Sequence, residues 1–436
     1  MSYTKDGALE FVKENDIKFI RLVFCDMFGT PKNIAVMADY LPRVFEKGAG
    51  FDVSSVEGLM NIEESDLLLV PDPASLAVLP WRPSSGRVAR MFCDIRYPDG
   101  EAFVGDGRRL LKDAKQEAAE QGLMVKARME CEFYLFEMDD EGLPTMRPHD
   151  NAGYLDVAPL DKCENVRRDI CLALEQMGMA PMGSHHEKGP AQNEIWCRAT
   201  DILACADDFI IYKMVVRTIA AQHGLFACFM PKPLENKSGN GLHINLSLHA
   251  AQGAKEEKVS AKTFESFMAG ILGHIGEMTL FMNTTTNSYK RLGNFEAPQY
   301  ISWAKGNRSQ LVRVPFGAGD DTRMELRSPD PLCNPYVAFT LLLRAGLEGI
   351  KNEAPLQDAA NFVFANASDE TKQKYMRLPT NLGEAIQSAQ GSRFVLGSLP
   401  KEIVEKTVEA KQCEWMRYEH TDDKKLFEHA CYFERI

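Results

Sequence analysis

The sequence predicts an α+β protein, with a small strand-rich N-terminal unit and a larger unit in which strands and helices follow in mixed order. Three observations lead there. The first hundred residues run in short alternating apolar stretches, each ended by Pro, Asp or Gly. From about Gly105 the apolar spacing becomes helical. Between the helical blocks, runs such as KARMECEFYLFE and GLHINLSL keep the period of a strand.

KFIRLVFCDMFGTPKNIAV alternates on both sides of the turn signal FGTPKN and predicts a hairpin. SDLLLVPDP and RVARMFCDI predict two more strands. Tyr97-Pro98-Asp99-Gly100 predicts a turn and a boundary, dividing the chain into 1–102 and 103–436. GRRLLKDAKQEAAEQGL places Leu110, Ala114 and Ala118 in helical register, with Gly122 as its stop. Val125 to Phe136 predicts a strand. CENVRRDICLALEQMGM carries the stripe Val166, Ile170, Leu174, Met177, and DDFIIYKMVVRTIAAQHG carries Ile211, Val215, Ile219. NPYVAFTLLLRAGLEGI predicts a helix capped by Asn334 with Pro335 at its first position.

With 436 residues, 45% of them hydrophobic and 26% charged, the chain has the composition of a soluble globular protein of two or three domains. A formal net charge of −12 argues against nucleic acid as partner. No apolar stretch is long enough to span a membrane. The 11 cysteines form no CxxC pair, and the start MSYTKDGALEF has no signal-peptide pattern, so a reduced, cytoplasmic protein is expected.

Four segments hold ligand-type side chains. On the predicted strand Glu130 and Glu132 share one face, and two buried carboxylates side by side call for a cation between them. HHEKGPAQNEI offers Glu187 and Glu194 across a Gly-Pro turn. SGNGLHINLSL offers His243 after a glycine-rich bend. TRMELRSPDP offers Glu325 between Arg323 and Arg327. Each taken alone reads as an ion pair or a satisfied core group. Together, five carboxylates and one imidazole suit two divalent ions, and oxygen-rich ligation favours Mg²⁺ or Mn²⁺. Arg291, Arg308, Arg313, Arg323 and Arg327 crowd the same stretch and match phosphate or carboxylate groups. Divalent metals plus arginines without a Walker A motif describe phosphoryl transfer of a non-P-loop kind.

The segments FDVSSVEG, IEESDLLLVPDP, ECEFYLFE, HHEKGPAQNEI, NSYKRL with FEAP, NRSQLVRVP and RMELRSPDPLCNPY resemble, in order, those of type I glutamine synthetases. The resemblance implies a β-grasp-like N-terminal domain and a catalytic domain built on a curved antiparallel sheet flanked by helices. It implies ATP-dependent ligation of ammonia to glutamate through γ-glutamyl phosphate, with two or more metal ions per site. Glu132, Glu187 and Glu194 match ligands of one metal, and Glu130, His243 and Glu325 those of the other. Arg313 matches the arginine at the transferring phosphoryl group, while Arg308 and Ser247 match contacts to ATP. Gly239, Arg291 and Arg327 match contacts to glutamate. Asp52, Ser55, Tyr154 and Glu187 match the ammonium pocket, with Asp52 as the base, and Glu296 matches the flap glutamate. In the family the pocket is completed by a neighbouring subunit, so a dodecamer of two six-membered rings is implied, with LFEHACYFERI resembling the tail that locks the rings.

The resemblance has departures. SGNGLH carries Ser238 where the family's glutamate loop has Asn, and the flap is one residue shorter between Arg291 and Glu296. Asn61 stands where feedback-inhibited relatives carry Arg. The insertion with a modifiable tyrosine is absent near Leu378-Pro379. Because the first two departures touch the amino-acid side, a ligase for an organic amine or a different acid is an alternative. A catalytically weak nitrogen sensor or scaffold is another.

Overall fold

The structure is a computed structural model that describes residues 3–56, 58, 65–252, 255–316 and 322–433. Asn61 lies outside the described residues.

Alternation builds the first sheet. In β1 (Ile17–Cys25), Ile20, Leu22 and Phe24 are buried. The expected hairpin forms with β2 (Pro31–Met37), and the Asp26 carboxylate closes its turn by accepting from the amides of Phe28 and Thr30. β1 runs parallel to β6 (Arg87–Arg96). β6 then pairs antiparallel with β4 (Asp66–Pro71), and β4 with β3 (Ala49–Asp52). The short β5 (Ala77–Val78) joins β6. Helices α1 (Lys5–Glu14) and α2 (Leu41–Lys47) supply Ala8, Val12, Val44 and Phe45 to a core with Leu22, Leu69 and Met91. The Tyr97–Gly100 turn is closed by the Gly100 amide on the Tyr97 carbonyl, with Gly100 at φ +93°.

The second sheet is organised by β7 (Leu123–Met138), longer than the strand read from sequence. One edge of β7 pairs with β13 (Leu242–Gln252) and then β12 (Leu225–Cys228). The other pairs with β11 (Thr200–Asp201), β10 (Gln192–Cys197) and β8 (Pro144–Pro148). β9 (Pro181–His186) extends the sheet beyond β10. On the far side of β13 lie β14 (Lys255–Lys258) and β17 (Arg323–Leu326), then β16 (Val312–Val314) and β15 (Trp303–Lys305). β15 and β16 run parallel, so the sheet is mixed at that end of the curved antiparallel sheet that the resemblance implied.

Helices α3 (Gly107–Glu120), α4 (Glu164–Gln176), α5 (Ile202–Gln222), α6 (Ala261–Met282) and α8 (Pro335–Lys351) join the core that Cys131, Phe133 and Leu135 of β7 enter. Asn334 caps α8 as expected, accepting from the Tyr336 amide. α5 departs from the single stripe read for it: Phe209, Ile210, Val216 and Ala220 are buried as well, because the helix is enclosed by other helices and the sheet. The short α7 (Ser288–Arg291) precedes the Gly293–Ala297 turn. The chain ends through α9 (Asp369–Lys372), α10 (Leu382–Gln390), α11 (Arg393–Ser398), α12 (Lys401–His420) and α13 (Lys424–Glu428). The final described residues fold back on their own chain. Tyr432 and Phe433 are buried with Tyr134, Phe136 and Met230, and Glu428 accepts from Asn287 Nδ2 at 2.8 Å and Lys290 Nζ at 2.9 Å.

Candidate active site

Strand register puts the candidate groups on one face of the second sheet. Glu132 of β7 stands opposite Glu194 of β10, and Glu194 opposite His185 of β9. One step of the pleat away, Glu130 stands opposite His243 of β13. Further across, Asn245 of β13 stands opposite Glu325 of β17, and Glu325 opposite Arg313 of β16. Because side chains alternate, these residues face one side while Cys131, Phe133 and Ile244 face the core.

The groups converge. Ligand atoms of Glu130, His243 and Glu325 lie within 4.8 Å of one another, as do those of Glu132, Glu194 and His243, and those of His185, Glu187 and Glu194. The Glu132–Glu187–Glu194 set expected from sequence is therefore spread over two adjoining clusters that share Glu194. Glu187 sits just past β9, held by its amide on the Gln192 carbonyl at 2.7 Å and by His185 Nε2 at 2.9 Å from its carboxylate. All six candidate ligands line a cavity of about 310 Å³ together with Arg308, Arg313 and Arg327.

The electrostatics describe a site short of positive charge at its centre. Burial, reinforced by the neighbouring carboxylates, holds Glu132 and Glu194 above the ordinary carboxylate range. Burial and then Arg327 hold His243 well below the usual imidazole value, so its ring nitrogens are not both protonated at neutral pH. Glu325 goes the other way: burial opposes its ionisation, but His243, Arg327 and Arg313 beside it bring its carboxyl down to about 2. Arg313 Nη1 is 2.6 Å from Glu325 Oε2. Buried carboxylates that repel one another around a neutral imidazole are a donor set that fits hard divalent cations.

A second, adjoining cavity is lined by Ser238, Gly239, Arg291 and Glu296. Arg291 donates through Nη1 to the Ser328 carbonyl at 2.8 Å and through Nη2 to that of Arg327 at 3.0 Å. A Cβ on Gly239 would lie 2.4 Å from the Pro231 carbonyl and 2.9 Å from Arg291 Cγ, so only glycine lets the backbone pass so close to the guanidinium stem. Tyr154 lines the first cavity and meets Arg308. Ser247 lies farther along β13, its hydroxyl 3.1 Å from His249 Nε2, where a third cavity lined by His249, Phe264, Met268 and Trp303 begins. Asp52 and Ser55 are not among the residues lining these cavities. They are exposed on the N-terminal unit, with Asp52 accepting from the Ser54 amide at 2.8 Å.

Sequence reading passed over His185, Asn245 and Lys188. The signal for His185 was present, since it alternates with Glu187. Asn245 continues the alternation of His243 and donates to Glu130 Oε1 at 3.2 Å.

A profile of the glutamine synthetase catalytic domain matches residues 104–429, and one of the glutamine synthetase beta-Grasp domain matches residues 16–98. The chain belongs to the glutamine synthetase family. Relatives named glutamine synthetase include that of Methanosarcina mazei, 45% identical over 95% of both chains, and that of Clostridium saccharobutylicum, 43% identical over 95% of this chain and 96% of its own. Among solved structures, a GmaS/ADP complex superposes with TM-score 0.85 at 30% identity over 97% of this chain and 98% of its own. Plasmodium falciparum glutamine synthetase superposes with TM-score 0.85 at 23% identity over 99% of each chain, a likeness of fold. Glutamine synthetases are ATP-dependent ligases that use divalent metals. No helix among the described residues is long and apolar enough to cross a membrane.

Proposed function

We propose that this chain joins ammonia to the γ-carboxylate of L-glutamate at the expense of ATP, through γ-glutamyl phosphate. The observation that carries the reading is the convergence of five carboxylates, one imidazole and three arginines on one cavity of a glutamine synthetase fold. Glu130, His243 and Glu325 would hold one divalent cation, and Glu132, Glu187 and Glu194 another, Mg²⁺ or Mn²⁺. Bound there, such cations neutralise phosphate and carboxylate charge.

The chain's own residues do the rest. Arg291 and Arg327, beside Gly239, bind glutamate. Arg291 has N–H groups to spare beyond those given to Ser328, Pro329 and Arg327. Arg308 and Arg313 face the triphosphate, and Arg313 stabilises the charge that spreads over the phosphoryl group as the γ-carboxylate attacks. Ser247 and the cavity beyond it take the nucleoside. Tyr154 and Glu187 hold ammonium, and Glu296 closes the mouth against water. Asp52 is the base that removes a proton from ammonium, and with Ser55 it reaches the cavity from a neighbouring copy. Its exposure in the single chain supports this, and so does the family's ring architecture, a dodecamer of two hexamers. The boundary between the two units falls at 102/103, and the cytoplasm is the proposed compartment.

The test is phosphate release with glutamate and ATP, comparing ammonium with a panel of organic amines. Release with ammonium supports the reading. Release with an amine alone identifies an amide ligase, and no release with any nucleophile leaves a sensor or scaffold. In the active protein, Glu130→Ala is expected to abolish release while the assembly keeps its size on gel filtration. Retained turnover would remove Glu130 from the ligand set.

A further inference from the structure

Lys188 directly follows Glu187 at the edge of the cavity, and its Nζ lies 2.5 Å from Oε1 of Glu296, 108 residues away in the chain. Both side chains line the main cavity and the adjoining one. The pair therefore bridges the two walls of the mouth, from the β9–β10 hairpin on one side to the turn after α7 on the other.

That turn is strapped by its own backbone hydrogen bonds. Arg291, at its start, is anchored on backbone carbonyls. The Gly293 amide donates to the Ala297 carbonyl, and the Ala297 amide to the Asn294 carbonyl, both at 3.1 Å. Between them Phe295 holds φ +54°, a left-handed conformation that costs a bulky residue energy and persists only when its surroundings impose it. Its ring lies under Lys232 Nζ at 4.5 Å. Two cations thus hold the turn in place, Lys232 on its outer ring and Lys188 on its inward carboxylate.

We propose that Lys188 is a positioning residue for the ligase reaction. Its ammonium group latches Glu296 across the cavity, so that the acyl phosphate meets ammonia and not water. The proposal rests on the ligase reading. In the productive step the nitrogen lone pair forms a C–N bond as the C–O bond to phosphate breaks, and phosphate leaves. In the leak a water oxygen takes the place of nitrogen, so ATP is spent and glutamate is returned. With side chains 42% and 48% exposed, the pair is a weak tie that can open for substrate. Its loss is expected to shift the closed population by about 1.5- to 5-fold.

The experiment uses the full chain with Mg²⁺, glutamate, ATP and limiting ammonium, and reads phosphate released per glutamine formed. Lys188→Met is expected to raise the phosphate released in excess of glutamine by about 1.5- to 5-fold, while Lys188→Arg, which keeps the cation, holds that excess near the wild-type value. In the ligand-free protein, Lys188→Met is also expected to speed hydrogen exchange at the Gly293 and Ala297 amides. The latch requires both effects. An unchanged excess, or unchanged exchange, overturns it while leaving the ligase reading intact. A wild-type protein that forms no glutamine overturns the ligase reading, and the latch falls with it.

Discussion

Glu132 and Glu194 face each other across two paired strands, and burial makes that opposition costly while no cation lies between them. In the metal-free protein both therefore retain protons above the ordinary carboxylate range. A divalent cation has to displace those protons. Metal affinity is then expected to rise with pH until both groups are ionised, and Mg²⁺ titrated into metal-free protein at pH 7 is expected to release protons. Calorimetry in two buffers of different ionisation enthalpy checks this. Equal heats in the two would sink it, and Glu132→Gln should release fewer protons and bind the ion more weakly. The ligand-type residues were readable from sequence because strand alternation is a local rule: Glu130 with Glu132, and Glu325 between two arginines, declare a common face within a few residues. Lys188 was not readable. It lies in a turn, where alternation says nothing, and its partner is contributed by a different segment.

At the scale of elements, what sequence declared well was again local. The Asn334-Pro335 start of α8, the Gly122 stop after α3 and the first hairpin all formed from residues that act on their own backbone. The enclosure of α5 on all sides was hidden, because periodicity reports a stripe and not how many neighbours will cover the rest. The crossing of α6 and α8 was hidden for the same reason. A Cβ on Gly349 would lie 2.2 Å from the Ser266 carbonyl and 2.7 Å from Gly270 Cα, so the two helix backbones touch at a pair of glycines. Neither glycine has a positive φ, and each would read in sequence as a mild helix weakener. Gly349→Ala is accordingly expected to destabilise the protein, despite alanine's better helix propensity, by about 1–3 kcal/mol of overpacking. Urea unfolding of the variant measures it, and an unchanged or higher midpoint would show that the helices can separate without loss.

At the scale of the molecule, the question is what holds the Asp52-bearing unit to the one that carries the cavity. The Asn334 side chain reaches back to the Met27 carbonyl at 3.0 Å. The larger tie is Arg108, at the start of α3. It donates to Asp72 and Asp94 of the first unit and to Asp207 of the second, each at 2.8 Å, and Tyr336 adds a hydrogen bond to Asp207 at 2.6 Å. Nothing in GRRLLKDAKQ distinguishes this buried arginine from its exposed neighbour Arg109, since its partners come from three distant segments. Arg108→Met leaves Asp207 without its cation and Asp72 and Asp94 with Lys112 alone, and is expected to cost about 3–5 kcal/mol near pH 7. The pH dependence supplies the control. Burial pushes Asp94 up, but Arg108 and then Lys112 hold it below its ordinary value. A depressed carboxylate lends stability that is fully present above its unfolded pKa of about 3.9 and is lost as pH falls through the folded value. In the variant only Lys112 is left to depress Asp94, so the wild-type advantage should be widest at pH 7 and narrow as pH falls below the ordinary carboxylate value. Urea unfolding of both proteins at pH 7 and at pH 3, below the unfolded carboxylate value, reads the two gaps. A gap of equal size at both would mean that Arg108 acts through packing and not through its charge.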